Sequence, residues 1–210
     1  MGRIVTDIVE FDKKRCKVYL DGEFAFLLYK GELRDFSIKI DAEISDATYT
    51  EIVEGVLCKR CRLRAMNLLQ KKDYTEKQLR DKLSEGLYPT ELINDAIGYV
   101  RMYKYLDDDR YARDYITYHL PTRSKNRIIQ DLITKGISKD MLMPIVEELY
   151  SEESGDVELD QVKELLNKKH YDPDNTDFKE KQKIMAFLMR RGFQMSTIRK
   201  GMNYFDEDYQ

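Results

Sequence analysis

Ile129-Gln130-Asp131-Leu132-Ile133-Thr134-Lys135-Gly136-Ile137, followed by Leu142, Val146 and Leu149, is the stretch that decides the fold. Ile129 and Ile133 stand four apart, on one face of a helix. Leu142, Val146 and Leu149 share one face of a second helix. A glycine just past a helix enters the left-handed conformation without steric cost. The stretch therefore predicts helix, glycine turn, helix.

The spacing recurs at Gly86 and Gly192. Seven residues before each glycine stand Leu79 and Met185, and three before stand Leu83 and Met189. One residue after come Leu87 and Phe193; six after, Leu92 and Ile198; ten after, Ala96 and Met202; thirteen after, Tyr99 and Phe205. Every one of these positions is apolar or small, which predicts internal repetition of a three-helix unit. A second echo supports it: Leu68-Leu69-Gln70-Lys71-Lys72-Asp73-Tyr74 resembles Leu165-Leu166-Asn167-Lys168-Lys169-His170-Tyr171. The gap from tyrosine to glycine is longer in the last copy, so a loop insertion is expected around Asp172-Pro173-Asp174-Asn175-Thr176.

Outward from the repeats, the first forty residues read as strands. Ile4 to Phe11 is rich in β-branched and apolar residues. Lys17-Val18-Tyr19-Leu20 and Phe24-Ala25-Phe26-Leu27 flank Asp21-Gly22, the preferred pair for a two-residue hairpin turn. A meander of two or three strands follows, and it should pack on the helices, because a lone hairpin is marginal in water. Helical spacing begins near residue 46. Pro89 and Pro121 mark helix boundaries, and Pro144 is expected within about the first turn of a helix, where a missing N–H costs least. The expected architecture is mainly α, with three tandem three-helix repeats in an elongated curved array behind a small β segment. The divisions fall at residues 1–46, 47–105, 106–150 and 151–210.

Charge narrows the function classes. The net charge is −3, with 36% charged residues, so the whole chain is not a basic nucleic-acid binder. Residues 57–150, however, carry 18 Lys/Arg against 14 Asp/Glu, and an anionic partner is expected there. Three cysteines argue against a secreted disulfide scaffold. No apolar run suits a membrane span. The cytoplasm is the expected compartment, and a monomer the expected state.

Catalytic chemistry is poorly supplied. Cys58-Lys59-Arg60-Cys61 is a CxxC pair, but the only histidines, His119 and His170, lie far from it in sequence, so no zinc ligand set is expected. Asp107-Asp108-Asp109 could suggest a metal site. Standing before Arg110-Tyr111-Ala112-Arg113, these carboxylates read better as the start of a helix, complementing its dipole. No phosphate-binding loop or nucleophile motif is present. A binding protein is expected, without cofactor or metal. The binding candidates are basic: Lys59, Arg60, Arg62 and Arg64; Lys71 and Lys72; Arg123, Lys125 and Arg127; Lys135; Lys168 and Lys169; Arg190 and Arg191. In a repeat array equivalent positions line one side, where recurrent basic pairs could face phosphates. Solvated helix faces are the alternative.

Tyr105-Leu106-Asp107-Asp108-Asp109-Arg110-Tyr111-Ala112 resembles the hallmark of the RecX family, bacterial regulators of the RecA recombinase. Arg127-Ile128 and Asp131-Leu132-Ile133-Thr134-Lys135-Gly136-Ile137 resemble its R-I-x-x-[DE]-L-x-x-K-G-I segment. Thr75 to Leu83 and Arg190-Arg191-Gly192-Phe193 resemble two further segments, and Asp21 to Ala25 the N-terminal hairpin of longer members. Ser124 stands where the family often has glycine. The resemblance covers about residues 3–204. It implies a modulator that lies on the RecA–DNA filament and inhibits strand exchange and coprotease activity, in recombination and DNA repair. It carries over no catalytic residues. Binding to single- or double-stranded DNA without RecA is the other expectation from the basic residues.

Overall fold

The computed structural model describes residues 2–152 and 156–207, apart from the side chains of residues 152 and 204–207. The chain divides into two compact units, residues 1–107 and 108–210.

Unit 1 opens with β1 (Arg3–Glu10), β2 (Arg15–Leu20) and β3 (Glu23–Tyr29). Asp21 and Gly22 both take positive φ, 50° and 88°, as the two-residue turn requires. The Asp21 carboxylate accepts from the Ile4 N–H at 3.0 Å, tying the turn to β1. A short strand unforeseen from the sequence, β4 (Glu43–Ile44), joins the other edge of β1, so the antiparallel sheet runs β3-β2-β1-β4. Two residues are too few to show an alternating pattern. A helix was also missed, α1 (Lys30–Asp35), whose six residues span under two turns.

From Asp46 the chain is helical to Leu69, through α2 (Asp46–Thr50), a π-helical stretch (Glu51–Cys58) and α3 (Lys59–Leu69). Then come α4 (Glu76–Ser84) and α5 (Thr90–Met102). Thr75 and Gln78 close a reciprocal capping box at the start of α4, each side chain accepting from the other's N–H at 3.3 Å. Val5, Val18, Leu20, Phe26 and Leu28 of the sheet share one core with Ile52, Leu57, Ala65, Leu79, Leu83 and Ile97 of the helices. The sheet thus packs on the helices, as its small size demands.

Unit 2 holds six helices among the described residues: α6 (Asp108–His119), α7 (Lys125–Thr134), α8 (Lys139–Glu152), α9 (Val157–Lys168), α10 (Phe178–Arg190) and α11 (Met195–Glu207). One core gathers Ala112, Ile116, Ile128, Leu132, Leu142 and Val146; another gathers Val162, Leu166, Ile184, Leu188, Ile198 and Met202. The expected loop insertion sits between α9 and α10, where Asp172 accepts from the N–H groups of Asp174 and Asn175. Pro144 lies deeper than expected, the sixth residue of α8, where it deletes the hydrogen bond to the Asp140 carbonyl.

The repeat register needs one correction. Gly136 and Gly192 take the left-handed conformation at φ 100° and 92°, but Gly86 does not; Leu87 does, at φ 57°. With Leu87 aligned to the two glycines, the helix residues eight and four before are Leu79 and Leu83, Ile128 and Leu132, Ile184 and Leu188, all buried. Those six and ten after are Ile93 and Ile97, Leu142 and Val146, Ile198 and Met202, also buried. Ile133 and Met189, placed on the core face from sequence, are 37% and 51% exposed. One residue turns a helix face by about 100°, which moves those two side chains out of the core. Phe205, placed on the same face as Met202, lies outside the described side chains.

Candidate functional site

A group of four arginines lies in unit 2, where the α6–α7 turn meets the end of α10. Ser124 caps α7 by accepting from the Arg127 N–H at 3.3 Å. The same hydroxyl donates to the Arg191 carbonyl at 2.7 Å, and the Asn126 amide donates to the Gly192 carbonyl at 3.0 Å. Gly192 permits this approach, because a Cβ there would stand 2.6 Å from the Ser124 Oγ.

The joint sets four guanidinium groups around one cleft of about 390 Å³: Arg123, Arg127, Arg190 and Arg191, with Thr122, Ser124 and Phe193 completing it. Among the described residues, Asp131 is the one carboxylate that holds any of them. It pairs with Arg123 at 2.6 Å and Arg127 at 3.2 Å, and Arg123 also donates to the Tyr115 hydroxyl at 2.8 Å. Arg190 and Arg191 have no carboxylate partner among the described residues. Arg191 instead lies 4.7 Å over the Phe187 ring. Four positive groups against one carboxylate among the described residues can seat an oxyanion, and guanidinium forks suit phosphate oxygens bidentately.

The other basic candidates are scattered or engaged. Arg60 pairs with Glu32 and stands 4.7 Å over Tyr29. Arg62 is held on Asp95 by two bonds of 2.6 Å. Lys59 and Arg64 are exposed. Arg60 and Arg62 lie about 200° apart around α3, so these residues form no common face. Lys71 is exposed, and Lys72 stands 4.5 Å over Tyr74. Lys125 and Lys135 lie over Tyr150 and Tyr115 at 4.9 and 5.3 Å. Lys168 pairs with Glu164 at 2.5 Å, and Lys169 shares the Phe187 ring with Arg191, at 4.8 Å.

The hallmark residues run from the end of unit 1 into the first turns of α6. Leu106 is buried in the unit 1 core and Ala112 in that of unit 2, with Tyr111 packed beside Ala112. Asp107 precedes α6; Asp108 and Asp109 stand in its first turn, before Arg110. Asp109 accepts from Arg113 at 2.8 Å, and Arg113 forks onto Glu148 of α8 at 2.8 and 2.9 Å. Burial pushes the Cys61 thiol up to about 12, and burial with the Asp95 carboxylate raises that of Cys58. Neither thiol is poised as a nucleophile. Among the described residues, no three acidic, His or Cys side chains group as metal ligands, and no helix is long and apolar enough to cross a membrane.

Sequence reasoning missed the part played by Glu158. Its carboxylate accepts from the Lys125 N–H at 2.9 Å, at the first residue of α7. Burial raises the Glu158 carboxyl above its ordinary value. The folded chain therefore holds a proton there more readily than the unfolded chain. This contribution is full below the ordinary glutamate range and is lost as pH rises through the raised value. Glu158→Gln keeps an acceptor for Lys125 without the charge. We expect its unfolding midpoint to fall less than that of the parent as pH rises above the ordinary glutamate range. A steeper fall in the variant would refute the assignment.

Comparison with known proteins settles the lineage. The model of the first three-helix domain of RecX matches residues 61–99, and that of the third matches residues 156–202. "Regulatory protein RecX" of Clostridium perfringens (strain 13 / Type A) is 32% identical over 202 residues, covering 92% of this chain and 91% of that protein. The chain belongs to the RecX family. Regulatory protein RecX of Caldanaerobacter subterraneus subsp. tengcongensis is 28% identical, covering 95% of this chain and 98% of the relative. A crystal structure of regulatory protein RecX shares the fold with a TM-score of 0.62 at 23% identity, covering 95% of this chain and all of that one. RecX from Lactobacillus salivarius matches at 0.59 and 20% identity, covering 72% and 98%. A regulatory role follows from membership in RecX.

Proposed function

We propose that this RecX protein regulates a RecA recombinase by lying on the RecA–DNA filament, with the arginine cleft of unit 2 as one of its anchors. The observation that carries this reading is the convergence of Arg123, Arg127, Arg190 and Arg191 on one cleft, with Asp131 alone among the described residues opposing them. A filament offers a repeating row of oxyanions, and such a cleft suits one of them. In this reading residues 47–105, 106–150 and 151–210 are separate helical modules behind residues 1–46, and the protein acts by occupancy, without chemistry of its own.

The test is strand exchange by RecA on single-stranded DNA with stoichiometric protein. The parent is expected to inhibit. Arg190→Glu with Arg191→Glu is expected to need at least about tenfold more protein, the equivalent of 1.4 kcal/mol, since two charge-assisted contacts are reversed. Both residues are exposed and lack carboxylate partners among the described residues, so the fold should survive. No inhibition and no co-sedimentation with filaments by the parent would sink the reading.

The same cleft could hold DNA phosphates without RecA. That second reading requires affinity for bare DNA to fall with salt by a log–log slope of roughly −0.7 to −0.9 per phosphate neutralised. A flat salt response removes it and leaves the filament reading standing.

A further inference from the structure

The turn that carries Arg123 is held from two sides. On one side Ser124 and Asn126 reach the carbonyls of Arg191 and Gly192. On the other, two residues of α9 hold the ends of the same turn. The Glu158 carboxylate accepts from the Lys125 N–H at 2.9 Å, and the Gln161 amide donates to the Leu120 carbonyl at 2.5 Å. We propose that Glu158 is a proton-operated positioning residue of the arginine cleft: neutral, it favours an anion there; ionised, it weakens the anion's hold. The proposal rests on the reading of that cleft as an oxyanion seat.

Glu158 pairs with no arginine among the described residues, so it acts through the turn. Lys125, whose N–H it accepts, directly follows Ser124 and stands two residues before Arg127. Two helical residues advance only about 3 Å. A charge on Glu158 is therefore felt at the cleft, because salt screens charges over roughly 10 Å at 0.1 M.

The surroundings of Glu158 are poorly hydrated. Gln161 is 8% exposed, and its Oε1 and the Tyr150 hydroxyl are buried without a hydrogen-bond partner among the described residues. Three groups face the carboxyl: Lys125 of α7, Tyr150 of α8 and Asp156 at the start of α9. Lys125 favours its charged form and Asp156 opposes it. Tyr150 stays neutral, its hydroxyl pushed up by burial. The Lys125 ammonium lies 4.9 Å over the Tyr150 ring instead of pairing with Glu158. Burial is the largest influence, and it raises the Glu158 carboxyl.

The sign follows. Within the ordinary glutamate range Glu158 keeps its proton, and the four arginines face Asp131 alone among the described carboxylates. As pH rises through the raised value, a second negative charge appears beside the turn and repels the anion. The ionised carboxylate also accepts more strongly from Lys125, but Ser124, Asn126 and Gln161 already hold the turn, so the charge decides. By linkage, a bound anion raises the proton affinity of Glu158 by the same factor. One other group needs a control. His119 of α6 faces Arg123, Asp131 and Lys135, and a proton on it would also favour an anion.

The test uses the full chain and inorganic sulfate, doubly charged throughout the range, with the arginine side-chain NMR signals reporting binding. The parent's sulfate affinity is expected to fall about threefold as pH rises above the ordinary glutamate range. The midpoint should coincide with that of the Glu158 carboxyl carbon signal. Glu158→Gln should keep the higher affinity at every pH. Gln161→Leu, which loosens the turn without removing a charge, should lower the affinity at every pH and keep the slope, and His119→Gln should also keep it. The proposal is overturned if the parent shows no slope, if Glu158→Gln retains it, or if Gln161→Leu or His119→Gln removes it. Each of these results leaves the oxyanion seat standing. Sulfate that moves no arginine signal removes the seat and this proposal together.

Discussion

Leu132→Ala is expected to destabilise unit 2 by about 2–5 kcal/mol, while Ile133→Ala, one residue along, costs less than about 1 kcal/mol. Leu132 is fully buried among Ile128, Leu142 and Val146, so its truncation leaves a cavity where packing atoms stood. Ile133 is 37% exposed and loses little on truncation. Leu188→Ala and Met189→Ala form the corresponding pair in the last repeat, at 1% and 51% exposure. Urea midpoints followed by far-UV circular dichroism measure the contrast within each pair. A loss at Ile133 as large as that at Leu132 would overturn this register.

Gly192→Ala is expected to cost about 2–4 kcal/mol, by two separable effects. A side chain at φ 92° is strained, by about 1–2 kcal/mol for an L residue in left-handed backbone. The added Cβ would also stand 2.6 Å from the Ser124 Oγ and 3.2 Å from the Arg127 N, so the cap of α7 must move; a lost cap costs about 1 kcal/mol. Gly22→Ala isolates the first effect, since Gly22 has φ 88° and nothing within 4 Å of the added atom. The difference between the two variants measures the contact with Ser124. Combining Gly192→Ala with Ser124→Gly should recover part of that difference. If Gly192→Ala costs no more than Gly22→Ala, the joint between α7 and α10 does not position the arginines as described.

Much of this was legible beforehand because it depends on local periodicity. The Asp21-Gly22 turn needs only two residues that tolerate positive φ. The helical repeats show in apolar residues three and four apart. The insertion before α10 shows in a run of turn-forming residues. The one-residue slip in the first repeat escaped because Leu87, a residue that ordinarily avoids positive φ, occupies the position held by glycine in the other two. Glycine at 86 drew the alignment to itself, yet the constraint on it is the nearby Tyr88 ring. The binding candidates divided in the same way. All four arginines of the cleft were identifiable as basic residues beside helix ends, but so were Lys59, Arg62 and Lys168, which the structure leaves exposed or already engaged.

Residue order alone therefore determined that the chain is a small sheet followed by repeated helices, and the resemblance in Tyr105 to Ala112 pointed to the family. Both are encoded within a few turns of chain. Which cations act together was decided by tertiary structure. Arg123 and Arg191 are 68 positions apart, and their meeting depends on a hydroxyl at Ser124 that reaches the Arg191 carbonyl and on a glycine that leaves it room. Hydrogen bonds and close contacts between distant segments follow no sequence period, so only the folded chain shows that these arginines share a cleft while those of α3 turn to different partners.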